Sequence, residues 1–146
     1  MNPNHPLLNH ADKIQRFTLY DIITYGKVIS VYDGDTFDMA FLVPLKSLTT
    51  ERNISKKKKG ICLVCEEEYG TSILMRMKCR IENINAPELN TNEGVMAKEN
   101  LEHIIQNKIL KCRLGNYDKY GRVLITILDE DENLKAHMQQ HQLKYE

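Results

Sequence analysis

No stretch of this chain is apolar for long enough to cross a membrane, and its first residues, MNPNHPLLNHADKIQRF, contain no apolar core of the kind a secretory signal carries. Both absences lead to the expectation of an intracellular protein. Net charge is missing as well. Twenty Lys and Arg stand against twenty Asp and Glu, for a formal net charge of zero. Attraction of the whole molecule to nucleic acid is therefore not indicated, and any anion binding has to come from local charge. The four cysteines follow no metal pattern. Cys62 and Cys65 form a lone CxxC within ICLVCEEE, which reads as strand, and Cys79 and Cys112 stand alone in alternating apolar segments. A zinc site needs further ligands at matched spacing, so reduced, buried thiols are expected. His137 and His141 are one helical turn apart, but no third ligand or Glu base accompanies them, and both are expected to be solvated. There is no internal repeat. The one low-complexity run, Lys56 to Lys59, reads first as a solvated loop, then as a nucleic-acid contact, then as a nuclear signal. Glu66 to Glu68 read as an exposed charge run.

What remains is ordinary for one globular domain, with 146 residues, 42% hydrophobic and 27% charged. Residues 1–24 read as an N-terminal extension, with a short helix around Ala11 to Tyr20. The domain follows over residues 25–146. GKVISVYDGDTFDMAFLVP gives two β-rich runs separated by Asp33-Gly34, a hairpin signal. An insertion is expected over about residues 44–60, with further β-like runs from Ile61 to Asn83. Ala97, Leu101, Ile104 and Ile105 recur at helical spacing and predict a helix over Asn92 to Asn107, with Asn90 and Glu93 as its capping box. ILKCRLG and RVLITILD are strands joined by a turn at NYDKYG, and a last helix is expected over Asn133 to Gln142. Strands, helix, strands, helix, with a tight early hairpin, suit a small β-barrel with packed helices better than a βαβ sheet.

Three stretches could carry chemistry. In VYDGDTF, Asp35 follows a tight glycine turn and can offer a rigid oxygen to a hard cation. In CRIENINAPELN, Arg80 sits inside a strand and Glu88 just past the strand-ending Ala86-Pro87. In YDKYGRV, Arg122 opens a strand. Phosphodiester cleavage uses such parts. Arginines match the charge that gathers on the phosphoryl oxygens, and a carboxylate takes the proton of the attacking water. Each residue also has a plain structural reading, as hairpin turn, surface strand pair with Glu82, or turn into a strand.

Taken together and in this order, YDGDTF, CRIENINAPE and DKYGR resemble the staphylococcal nuclease (thermonuclease) family, over about Tyr25 to Leu143. The resemblance implies a mainly β, α+β fold, a five-stranded OB-fold barrel with packed helices. It also implies calcium-dependent hydrolysis of DNA and RNA that leaves 3′-phosphate and 5′-hydroxyl ends. By the same resemblance Asp35 is the metal carboxylate, Glu88 the general base, and Arg80 and Arg122 the phosphate-binding pair. Lys119 and Tyr120 fall where the family touches the nucleotide, and Asp33 shapes the field of the metal hairpin. Asn85 stands where the family's type member has a second carboxylate ligand, and Ala86 where it has threonine. Asn85 can offer its amide oxygen and Ala86 its backbone carbonyl, in a site with one formal charge less. The segment after Glu88 is shorter than in the type member. Two other functions are compatible with the sequence. One is a non-catalytic OB-fold that binds single-stranded nucleic acid, which would not need Glu88 together with both arginines. The other is a protein-interaction module.

Overall fold

The computed structural model describes residues 2–14, 16–44 and 72–143. The Lys56 to Lys59 run, Cys62, Cys65, Glu66 to Glu68 and the expected insertion from residue 45 onward lie outside them. The described chain is a closed five-stranded barrel of β1 (Ile23–Val31), β2 (Thr36–Pro44), β3 (Ser72–Ile81), β4 (Ile109–Tyr117) and β5 (Val123–Ile127). Two α-helices pack on it, α1 (Asn92–Ile105) and α2 (Glu132–Gln140). This is the small barrel with packed helices expected from the element order, and it is consistent with the α+β, OB-like barrel that the resemblance implies. Among the described residues no helix is long and apolar enough to cross a membrane.

Strict alternation builds the wall. Along β2 the side chains of Phe37, Met39, Phe41 and Val43 are buried inside the barrel, while Asp38, Ala40 and Leu42 between them are half-buried or exposed. Enclosing Phe37 and Phe41 removes their apolar surface from water, each worth on the order of 2–3 kcal/mol. β1 pairs antiparallel with β2, with one irregularity between Val28 and Ser30. β2 pairs antiparallel with β3 along its whole length, from Thr36 opposite Arg80 to Pro44 opposite Ser72. The barrel closes where β3 meets β5 in parallel and β4 pairs antiparallel with both β5 and β1. The register places Arg80 beside Thr36 at the end of the first hairpin.

The helices differ from expectation in detail. Thr91 caps α1, accepting the Gly94 N–H at 3.0 Å, where Asn90 was expected to do so. Asp131 caps α2 by accepting the Leu134 N–H at 2.7 Å. The N-terminal helix is a 3₁₀ segment at Pro6–Lys13 with no buried residue, not a helix at Ala11 to Tyr20. Proline near its start fits a helix N-terminus. The barrel also takes in residues ahead of Tyr25. Leu19 and Ile22 are buried in the core, and Asp21 N–H donates to Leu114 O at 2.7 Å.

Cys79 and Cys112 are free and buried, as expected for structural thiols. Burial pushes each thiol up to about 12, with Cys112 adding to the effect on Cys79 and Asp129 to that on Cys112. Since the thiolate is the reactive form, iodoacetamide at pH 8 should modify neither residue in the native protein. Both should react once denaturant unfolds it, as read by peptide mass mapping. Rapid native alkylation of either would contradict this packing.

Candidate active site

Asp35 is the centre of the barrel mouth. Only 5% exposed, it is the last residue of the Tyr32–Asp35 turn that joins β1 to β2. The turn is closed by Tyr32 N–H and Asp33 N–H on Thr36 O, at 2.9 and 3.2 Å. Asp33 accepts the Asp35 N–H at 3.0 Å. Burial raises the pKa of Asp33 and the neighbouring Asp35 carboxyl adds to the rise, against the lowering pull of the Asp35 N–H.

A buried carboxylate needs donors to replace water, and three segments supply them. Oδ1 of Asp35 accepts the Thr36 hydroxyl at 2.8 Å. Oδ2 accepts the Ala86 N–H at 2.9 Å and faces Arg80 Nη2 at 3.4 Å. The same Arg80 nitrogen lies 3.4 Å from Oδ1 of Asn85. Arg80 therefore pairs with Asp35 rather than with Glu82, whose carboxylate instead accepts the Thr126 hydroxyl at 3.2 Å.

Arg122 reaches the cluster from the turn between β4 and β5. Its Nη1 donates to Thr36 Oγ1 at 3.2 Å and its Nε to Asp118 Oδ2 at 2.5 Å. Asp118 Oδ1 also accepts the backbone N–H groups of Tyr120 and Arg122, each at 2.9 Å. Burial acts to raise the Asp118 carboxyl, but the Arg122 N–H groups and the Tyr120 N–H outweigh it and hold it below its ordinary value. Neither Asp118 nor Thr36 stands out in the sequence as a site residue. Asp118 was visible only as a turn former, although an acid at the head of an arginine-bearing turn is a usable signal.

Arg80, Asp35, Thr36 and Arg122 thus form one continuous bridge, with Asn85 and the Ala86 N–H attached to it. Asp35 meets the backbone N–H of Ala86, while the Ala86 carbonyl, the atom expected as a metal ligand, belongs to the next peptide unit. Asn85 is tied down by its own N–H, which donates to His141 O at 2.9 Å. Glu88 is exposed, and among the described residues its carboxylate makes no hydrogen bond. Its backbone is fixed instead. Glu88 O accepts both the N–H and the hydroxyl of Thr91, at 3.0 and 2.7 Å. Lys119 and Tyr120 are exposed, Tyr120 by 71%, with Lys119 Nζ 5.1 Å and the Arg122 guanidinium 5.3 Å from the tyrosine ring.

The expectation of solvated histidines is corrected at His137, which is 1% exposed. Its ring lies 4.7 Å from that of His141, edge to face, and His141 is only partly covered. Burial lowers the His141 pKa, and His137 lowers it further. Among the described residues no three His, Cys, Asp or Glu side chains cluster as a metal site. No family model matches the sequence, and neither does any curated protein.

Two outcomes follow from these contacts. A Cβ on Gly94 would lie 1.8 Å from the Glu88 carbonyl oxygen. Gly94→Ala gains about 1 kcal/mol of helix propensity but forces the Glu88 backbone aside, at a cost of about 1–3 kcal/mol. Net loss of stability and faster exchange of the Thr91 amide are expected, and a variant as stable as wild type would show that the loop yields freely. Asp118 gives a pH signature. Because its folded pKa lies below the ordinary 3.8, its stabilisation is present in full above that value and is lost as pH falls through the folded pKa. Asp118→Asn should destabilise at pH 6 by on the order of 1–2 kcal/mol, low in the range for charged hydrogen bonds because the pair is partly solvated. The gap between variant and wild type should narrow as the pH is taken below 3.8, and should be smaller at pH 2 than at pH 6. Urea titrations at the two pH values make the comparison.

Proposed function

We propose that this chain is a metal-dependent phosphodiesterase of the staphylococcal nuclease type, which hydrolyses DNA or RNA to 3′-phosphate and 5′-hydroxyl ends. The observation that carries this reading is the bridge from Arg80 through Asp35 and Thr36 to Arg122. A structural ion pair needs one arginine. Here two guanidinium groups, 42 residues apart in sequence (122 − 80), converge on adjacent residues at the barrel mouth.

Their bonding suits an incoming phosphate. Arg80 holds Asp35 and Asn85 only at 3.4 Å, long for charge-assisted bonds and readily exchanged for phosphoryl oxygens. Arg122 commits Nε and Nη1, and its Nη2 has no partner among the described residues. Two anchored guanidinium groups can meet the charge that develops on the phosphoryl oxygens, and donors held in place beforehand spend nothing on reorganisation during the reaction. Glu88 projects into solvent from a backbone pinned to α1, where its carboxylate can take a proton from water as the new P–O bond forms. The 5′-oxygen then leaves with its electron pair and is protonated from solvent. Exposed Tyr120, with Lys119 and Arg122 around its ring, offers a stacking face for a nucleotide base.

The donors present also fit a hard divalent cation such as calcium. Asp35 Oδ2 and Asn85 Oδ1 both point at one positive centre, Arg80 Nη2, so the protein already orients two oxygens about a cation. Asp35 and Asn85 would hold the ion, and with a single carboxylate among them binding is weak until substrate oxygens complete the shell. Bound there, calcium supplies further neutralisation of phosphoryl charge.

The test is cleavage of a labelled single-stranded oligonucleotide with calcium and with chelator. Wild type should cut only with metal. Arg80→Ala and Glu88→Gln should each lose about 10²- to 10³-fold in kcat, the scale for removing one oriented transition-state partner, with unchanged circular dichroism. Binding without cleavage by wild type would mean a nucleic-acid reader, and near-normal turnover in both folded variants would remove these residues from the chemistry.

A further inference from the structure

His137 is buried, and nothing in the proposed chemistry touches it. A polar ring is costly to bury unless bonds replace its water, and both of its nitrogens have partners. Nε2 lies 2.7 Å from the Gly34 carbonyl oxygen, and Nδ1 lies 2.9 Å from Nδ2 of Asn100. A carbonyl only accepts, so Nε2 carries the proton, and Nδ1 accepts from the Asn100 amide of α1.

Gly34 is the centre of the acidic turn. A Cβ there would fall 2.6 Å from the Ala86 Cβ and 2.8 Å from the Ala97 Cβ. The turn therefore lies flat against both the Glu88-bearing loop and α1, while α2 reaches it through the histidine. The Gly34 carbonyl and the Asp35 N–H belong to one planar peptide unit. That unit is gripped at both ends, its oxygen by His137 and its N–H by the Asp33 carboxylate.

We propose that His137 is a positioning residue for Asp35. Holding the Gly34–Asp35 peptide plane fixes the direction in which Asp35 leaves the backbone. That direction sets its carboxylate between the Thr36 hydroxyl, the Ala86 N–H and Arg80. The Asn100 bond joins α2 to α1. The Gly34 bond instead joins α2 to the candidate site. The catalytic consequence rests on the phosphodiesterase reading, while the positioning itself does not.

The two ring nitrogens can be separated by substitution. His137→Asn places an amide near the Nδ1 position, keeping Asn100 and releasing Gly34, whereas His137→Gln reaches toward Gly34. Asn100→Leu cuts the helix–helix bond and leaves the turn held. Amide exchange at Asp35 and Ala86, measured relative to the core amides of α1, is the first readout and needs neither metal nor substrate. Exchange should quicken about ten-fold in His137→Asn, the scale of one lost hydrogen bond, and stay near wild type in His137→Gln and Asn100→Leu. Oligonucleotide cleavage with calcium is the second readout, and kcat should fall in His137→Asn by at least the same factor and be rescued in His137→Gln. If His137→Asn does not fold, His137→Leu/Asn100→Leu, in which both partners become apolar, reads the same loss. Relative exchange unchanged when the Gly34 bond is cut overturns the proposal, as does fast exchange with wild-type kcat. If wild type itself cuts nothing, the phosphodiesterase reading falls, and the exchange comparison still decides whether His137 positions Asp35.

Discussion

A carboxylate that is almost wholly withdrawn from water has to be met by donors, and meeting Asp35 organises the whole mouth of this barrel. Left alone, such a charge costs several kcal/mol. Its donors come from the start of β2, from the loop after β3 and from β3 itself, segments that share no local reason to approach one another. The backbone between Asn83 and Ala86 is then stitched to the end of α2, through Asn85 N–H on His141 O and Leu143 N–H on Asn83 O, both at 2.9 Å. Arg122 joins last, by way of Thr36. One buried charge thus links barrel, loop and C-terminal helix, with Arg80 bonded to it directly and Arg122 one hydrogen bond further on.

The barrel was legible in the sequence because its causes are local. Alternation in TFDMAFLVP, the Asp33-Gly34 turn and the helical spacing of Ala97, Leu101, Ile104 and Ile105 each follow from a few neighbouring residues. The approach of Arg80 to Asp35 was legible only through the resemblance of three short stretches to one family, since no periodicity connects residues 45 apart (80 − 35). His137 was misjudged for a physical reason. In ENLKAHMQQ only Leu134 and Met138 mark an apolar face, and a histidine beside them looks solvated unless its partners are known. Those partners, Gly34 O and Asn100, lie 103 and 37 residues away.

The cap of α1 failed more narrowly. Asn90 and Thr91 are both good capping residues, and Asn90 has Glu93 at the right distance for a box. Thr91 wins through a second bond, its hydroxyl donating to Glu88 O while accepting from Gly94. The one-residue shift carries consequence, because the cap also anchors the loop that presents Glu88. Asp118 belongs to the same class. Its turn was evident, but its grip on Arg122 is a side-chain arrangement that composition does not encode.

The parallel meeting of β3 and β5 has a bearing on the order of events in folding. It consists of three residue pairs, Cys79 with Val123, Arg80 with Leu124 and Ile81 with Ile125. Each joins positions 44 apart in the chain, so this contact carries a larger loop-closure cost than the β1–β2 hairpin. Arg80 lies within the seam and Arg122 immediately precedes it. A nascent chain can make its hairpin, and hold Asp35 at the tip, well before both guanidinium groups have reached Asp35 and Thr36. The bridge from Arg80 through Asp35 and Thr36 to Arg122 is therefore a property of the finished barrel alone, and a chain arrested short of closure holds only the hairpin part of it.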